Sequence, residues 1–454
     1  MLKAVCLSTL IAMGSVAFAE TPQVTFHKDV LPVLQKNCQE CHRPGEIAPM
    51  SLLTYEQTRP WAKAIKGAVV ARKMPPWFAD PEFGHFANDR RLSEADIRTL
   101  TAWADAGAPE GNANDAPAPI KFNEGWNIKP DIIVEMPKAF ELPASGTINY
   151  KYILVKTDFP TDMWIEAAEM RAGNGKVLHH GKVWTRPPGS QWMANAVPGE
   201  AYENETQSDI IGRGGESDGR DILGKFNPGL GAQNFNIKEV GGSAKFVPKG
   251  SDLVFELHYT TTGKPTTDIS KIGLVLSKNP PQQRYFLATA PMAGNLVIPA
   301  GDGNAEVVGE VTTAAPASLV YVQPHMHLRG KDYEIRLIYP TGEAQTIFRG
   351  QFDFNWQQGF TFAKPIVLPV GTRILGISHF DNSPNNRFNP DPKKEVRWGP
   401  QNWDEMSNAF LGLLFDAKTP QKSVLQRSGP SLLRPVPGQA GPTLATALAS
   451  RSEE

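Results

Sequence analysis

Cysteine is scarce in this chain, with three in 454 residues, and that scarcity rules out a disulfide-stapled scaffold. An excess of one charge is missing too. Lys and Arg number 46 against 47 Asp and Glu, so no net field recruits nucleic acid or an anionic membrane, and a small or neutral substrate fits better. Long apolar runs are confined to Ala4–Phe18, which is too short and wrongly flanked for a membrane anchor. Histidine is not abundant either, at nine, but its placement is uneven. Five of the nine fall into three clusters: His179-His180, His325-Met326-His327, and His42 at the end of Cys38-Gln39-Glu40-Cys41-His42. At 41% hydrophobic the chain can bury more than one core, and its length suggests about three domains.

The N-terminus reads as an export signal over residues 1–19. Met1-Leu2-Lys3 supplies a positive start, the apolar stretch follows, and Ala17-Phe18-Ala19 makes an A-x-A cleavage tripeptide before Glu20. The expected location is the periplasm or outside the cell, without a membrane anchor. Cys6 leaves with the signal, so the mature chain keeps only Cys38 and Cys41.

Cys38-Gln39-Glu40-Cys41-His42 is the c-type haem attachment motif: two thiols at this spacing form thioethers to haem, and the adjacent imidazole becomes the proximal iron ligand. A redox dithiol needs no following histidine, and a zinc ribbon needs a second cysteine pair that is absent. Arg72-Lys73-Met74-Pro75-Pro76-Trp77 resembles the Met-Pro stretch of many c-type cytochromes and makes Met74 the expected sixth iron ligand, with His85 as the competitor. Met50 is too near His42 along the chain to cross to the other haem face. Helical patterns cover Phe26–Lys36, Tyr55–Arg72, with Trp61, Ile65 and Val69 spaced four apart, and Ser93–Ala106, which opens like a capped helix. Residues 20–112 are therefore expected to form a small all-α cytochrome c-like domain, with Trp103 near the haem edge.

A polar, Pro-rich linker follows over 113–128. Beyond it come short β-type runs: Tyr150–Val155, Trp164–Ala168, Leu253–Tyr259, Ile272–Leu276, Leu319–Val322, Tyr333–Tyr339 and Arg373–Ser378. Their spacing predicts two all-β, jelly-roll-like sandwiches, over 129–288 and 289–418. Ile211–Gly242 is glycine-rich, either a cover over a cleft or a plain excursion, and 419–454 reads as a flexible tail.

In the β region His325 and His327 stand at i and i+2, hence on one face of a strand and within reach of one ion. His179 and His180 are neighbours, and one metal takes both only at a strand end or a distortion. His258, inside Phe255-Glu256-Leu257-His258-Tyr259, reads by itself as a core histidine.

Taken in order, His-His, then His-Tyr, then His-X-His with Leu-X-Gly-Lys, then Asp404-Glu405-Met406-Ser407-Asn408 resembles the copper type II ascorbate-dependent monooxygenases, the family of peptidylglycine α-hydroxylating and dopamine β-monooxygenases. The resemblance covers about residues 160–416. It implies that His179, His180 and His258 hold an electron-storing copper, and that His325, His327 and Met406 hold an oxygen-activating one. A thioether among imidazoles suits Cu(I) and argues against zinc. The implied activity is hydroxylation of a C–H bond of a small organic substrate with O2, on metal-centred chemistry without a protein acid or base. Its electrons come from a periplasmic donor or an ascorbate-like reductant, with the fused haem as relay.

The chain departs from the peptide-hydroxylating members where they hold a substrate carboxylate. Gln323 stands in place of an arginine and Phe410 in place of a tyrosine, while Asn408 is kept. Gln323, Asn408 and Phe410 are the expected substrate-lining residues, with Met406, Asn408 and Phe410 on one strand face, and a glycine-extended peptide is a poor substrate candidate. The family's disulfides are absent. His379 has no counterpart and reads as structural. The competing class is a periplasmic electron carrier or copper-binding protein on the same scaffold, without hydroxylase activity.

Overall fold

The computed structural model describes residues 23–46, 48–122, 125–204, 207, 219–227, 230–293 and 296–427. The expected signal 1–19 with Cys6, a portion of the glycine-rich stretch and the tail from 428 lie outside them. The described residues divide into two compact units. The first takes 23–44, 49–75 and 92–120; the second takes 45–46, 48, 76–91 and everything from 121 on.

Helix is the regular structure of the first unit. A π-helical turn at Phe26–Val30 leads into α1 (Leu31–Asn37), followed by α2 (Tyr55–Thr58), α3 (Ala62–Val70) and α4 (Glu94–Asp105). Ser93 caps α4 as its sequence suggests, its side chain accepting from the Asp96 amide. Phe26, Val30, Leu34, Leu100 and Trp103 are fully buried and make a small core, with Trp103 Nε1 donating to the Pro109 carbonyl at 3.0 Å. Ile65 and Val69 join that core, but Trp61 is 41% exposed. Residues Arg59–Trp61 form a 3-10 turn, whose tighter winding rotates Trp61 off the α3 stripe.

The second unit is built of strands. One sheet runs β1 (Ile132–Glu135), β12 (Lys271–Leu276), β4 (Met163–Arg171), β9 (Ser243–Val247), β13 (Gln283–Met292), β22 (Asn408–Asp416), β16 (Ala317–His325) and β19 (Phe360–Leu368), with β8 (Gln233–Asn234) added on β4. A second sheet orders β6 (Ala201–Tyr202), β3 (Lys151–Val155), β10 (Asp252–Tyr259), β5 (Leu178–Arg186) and β7 (Asp221–Phe226). A third orders β18 (Ala344–Gln351), β17 (Gly330–Ile338), β20 (Arg373–Phe380), β15 (Ala305–Thr313) and β23 (Leu425–Arg427). Two short ribbons pair β11 (Thr266–Asp268) with β2 (Phe140–Leu142) and β14 (Val297–Ile298) with β21 (Val396–Arg397).

The long sheet is shared. The position 288/289, expected as the boundary between the sandwiches, falls inside β13, which pairs in parallel with β9 and antiparallel with β22. Alternation along β22 explains how one sheet serves two cores. Phe410 and Leu414 pack with Phe255, Leu257 and Ile165, whereas Ala409, Leu411, Leu413 and Phe415 pack with Ile335, Leu337 and Phe348. Such a strand is apolar on both faces, as a two-sided core requires.

Residues 76–91, expected within the helical domain, belong to the second unit for the same reason. Trp77, Phe78 and Phe86 pack edge-on against Phe348 and Phe360, Phe86 lies tilted on Phe362, and single β-bridges tie Ala79 to Gly350 and Phe86 to Phe362.

Candidate metal centres

His180 and His258 are cross-strand partners on β5 and β10, and the next pair in the register is Leu178 with Tyr259. His179 is therefore the extra residue of a β-bulge. That distortion lets two neighbouring side chains turn to one side, which a regular strand forbids. The Nδ1 atoms of His179 and His180 stand 3.0 Å apart, and ligand atoms of all three histidines lie within 4.8 Å of one another. Two imidazole nitrogens bound to one ion at about 2.0–2.1 Å would stand about 3 Å apart.

Outer contacts orient these rings. The Tyr150 hydroxyl hydrogen-bonds His180 Nε2 at 2.7 Å, and its ring stacks on His258 with centroids 4.7 Å apart. His258 Nδ1 is buried with no hydrogen-bond partner, while its Nε2 meets Asn402 Nδ2 at 3.4 Å. A ring held through one nitrogen presents the other to a metal. Burial lowers the proton affinity of all three. His258 falls to about 3, helped by the charges of His179 and His327, and His180 falls well below its ordinary value, helped by His258 and His179.

The second set uses the opposite nitrogens. His325 Nδ1 is hydrogen-bonded to Gln357 Oε1 at 2.8 Å, and His327 Nδ1 faces the Asp404 carbonyl at 3.4 Å, leaving His327 Nε2 buried and unpartnered. The two rings lie 5.3 Å apart at 90°. Strand β16 ends at His325, so His327 stands just beyond it and not on the strand as the spacing suggests. Glu405 holds it there. Its carboxylate accepts the amides of His327 and Arg329 at 2.8 and 2.6 Å, fastening the ligand segment to the loop that carries Met406. Burial pushes the Glu405 carboxyl up to about 8 against those bonds. Burial also brings His327 down to about 4 and His325 well below its ordinary value.

Met406 is half-buried and lies two residues before the start of β22, whose first residue, Asn408, pairs with His325. Gln323 pairs with Phe410 in the same register, and Gln323, Asn408 and Phe410 are all buried. The two histidine sets lie near enough that His325 helps to lower the proton affinity of His180, and His327 that of His258. His179 also stacks on Phe354, 6.1 Å away. His379 is apart from both sets, between Asp332 at 2.7 Å and Glu306 at 3.4 Å on the strands flanking β20.

In the first unit Cys38 and Cys41 are half-buried and not joined in a disulfide, and the His42 amide donates to the carbonyl of Cys38, one turn earlier, at 2.9 Å. His42 Nδ1 is hydrogen-bonded to the Met50 carbonyl at 3.2 Å, which leaves Nε2 available as an iron ligand. Burial and Cys41 push the Cys38 thiol up to about 12, opposite to the shift of an attacking redox thiol. Met74 belongs to the same unit as these residues; His85 belongs to the other, its carbonyl accepting from the Ala363 amide at 2.7 Å.

Sequence reasoning did not find Tyr150, Gln357, Asn402 or Phe354, and nothing near them in the chain marks them. Glu405 was visible only as a neighbour of Met406.

No family model matches the chain, and no curated protein matches it. Solved structures give faint likenesses. PNGase F, a glycosylasparaginase from Flavobacterium meningosepticum, is 10% identical, covering 64% of this chain and 100% of its own, at a TM-score of 0.28. The infectious bursal disease virus Gx strain structure is 9% identical over 68% of this chain and 78% of its own, at 0.19. At these scores nothing is carried over to the site.

Proposed function

We propose that the chain is a periplasmic copper-dependent monooxygenase of the copper type II ascorbate-dependent family, fused to a c-type cytochrome domain, and that it hydroxylates a C–H bond of a small organic substrate with O2. The observation that supports it best is a pair of buried nitrogens, His258 Nδ1 and His327 Nε2, each without a hydrogen-bond partner in a separate histidine set. Buried polar atoms are nearly always satisfied, and an ion bound by each set would satisfy both. The donor chemistry fits copper: neutral imidazoles in both sets, and a thioether on the loop beside the second.

Copper, when bound, supplies one-electron redox chemistry and a Lewis-acidic position for O2. The chain supplies the rest. Burial keeps all the imidazoles unprotonated at neutral pH, so no proton competes for the ligand atoms. Tyr150 and Gln357 fix the ring orientations from outside. Gln323, Asn408 and Phe410 present the face beside His325 to a substrate, and water is excluded from it. Cys38, Cys41, His42 and Met74 are the residues that would hold one covalent haem, whose one-electron redox chemistry would suit a periplasmic donor or an ascorbate-like reductant.

Metal analysis of the full chain should find two coppers and one haem iron, and the copper-loaded, reduced protein should take up O2 when substrates are added. Iron without copper would sink the proposal. Two coppers with no uptake across a broad substrate panel would instead favour an electron-transfer or copper-binding protein.

A further inference from the structure

Lys225 is the one deeply buried lysine, among the described residues, that lacks an acid. It sits on β7, 3% exposed, and its Nζ donates to the Tyr321 hydroxyl at 3.2 Å and to Gln323 Oε1. The rings of Tyr321 and Phe410 both lie 4.9 Å from Nζ. Its neighbours show the usual arrangement. Lys245 is equally buried and is met by both oxygens of Asp221 at 2.7 and 2.8 Å, and Lys182 is met by Glu256 at 2.8 Å. Lys225 has only neutral oxygens and two π-faces. Burying an ammonium with no counter-charge is among the costliest things a fold does.

The surroundings are arranged for an anion. An ammonium has three donors and two are used. Gln323 cannot turn away, because Oε1 accepts from Tyr321 at 2.9 Å and Nε2 donates to the Gln357 carbonyl at 2.8 Å. Gln357 in turn carries a buried Nε2 with no partner, a further donor lacking an acceptor. Its Oε1 meets His325 Nδ1, so the lysine is connected through the Gln323 side chain and then Gln357, by way of its main-chain carbonyl, to the second histidine set. Phe410, under Nζ, is paired with Gln323 across β22 and β16.

Resting on the monooxygenase reading, we propose that Lys225 is the anchor for a single negative charge on the substrate, so that the substrate is a small organic carboxylate held beside the His325/His327/Met406 set. One lysine matches one charge, which favours a carboxylate over a phosphate dianion. Burial and the like charges of Lys182 and Lys245 hold the free lysine well below its ordinary proton affinity. An arriving carboxylate favours the charged form and raises that affinity again.

The test is calorimetric titration of the full chain with formate, acetate and benzoate, each against its neutral amide. At least one acid should bind tenfold or more tightly than its amide. Lys225→Met should abolish the preference, and Lys225→Arg should keep it. No acid preferred over its amide by the unaltered chain overturns the inference, with no variant needed. So does a preference that survives in folded Lys225→Met. Neither copper nor O2 enters this measurement. Two coppers and O2 uptake without carboxylate preference would remove the inference and leave the monooxygenase reading, whereas carboxylate preference without copper would do the reverse.

Discussion

The two histidine sets of the β unit solve one problem by different means. At His179, His180 and His258 the ligands come from paired strands, and a bulge supplies the third direction. At His325 and His327 the strand simply ends, and a buried carboxylate from the Met406 loop grips the chain as it leaves. The first set turns Nδ1 inward with Tyr150 on Nε2; the second leaves Nε2 free with Gln357 on Nδ1. A bulge is locked by sheet hydrogen bonds on both sides, so the first geometry is rigid by construction. A loop-borne methionine is held by fewer such bonds. Under the proposed function, the difference would suit a site that only stores an electron against one that must change its ligands during turnover.

The largest expected effect separates the sets outright. His325→Ala should remove copper from the second set, leave the first loaded, and lower O2 uptake by on the order of 10³-fold, the worth of several kcal/mol of metal stabilisation. Metal content and the copper spectrum check it, and loss of both coppers together would show that the sets are not independent.

A smaller effect is shared by both sets in the metal-free chain. His258 and His327 have folded proton affinities of about 3 and 4, below the ordinary 6.5. The unfolded chain then binds more protons below pH 6.5, so stability is retained above that pH and lost as pH falls towards about 4. The slope should be about 1.4 kcal/mol per pH unit for each histidine kept neutral. Denaturant titrations of metal-free protein between these limits measure it, and a flat profile would mean that the rings are charged in the fold.

The smallest effect distinguishes the outer contacts. Tyr150→Phe should weaken copper at the first set about 10–100-fold and leave the second unchanged. Competition with a chelator reads this, and an equal loss at both sets would sink the assignment of Tyr150 to one of them.

Much of the architecture was legible in the chain. The runs at Leu253–Tyr259 and Arg373–Ser378 recur as β10 and β20, because short apolar runs bounded by turn residues report buried strands directly. The Ser93 cap was equally plain. The boundary between sandwiches was not, since a strand buried on both faces, like β22, carries no mark of which core each face serves. Residues 76–91 were misplaced for a related reason. Their aromatic side chains state that they pack, without stating on what.

Sequence alone determined which candidate ligand types exist and in what order: the Cys38–His42 motif, three histidine groups and Met406. It also placed Gln323 and Phe410 where the resemblance leads one to expect arginine and tyrosine. Tertiary structure decided which nitrogen of each ring is free, which tyrosine and glutamine hold the rings, and that Lys225, far from Gln323 in the chain, lies against it. Those are contacts between strands distant in sequence, created when two sheets pack on opposite faces of a third, and no local pattern encodes them.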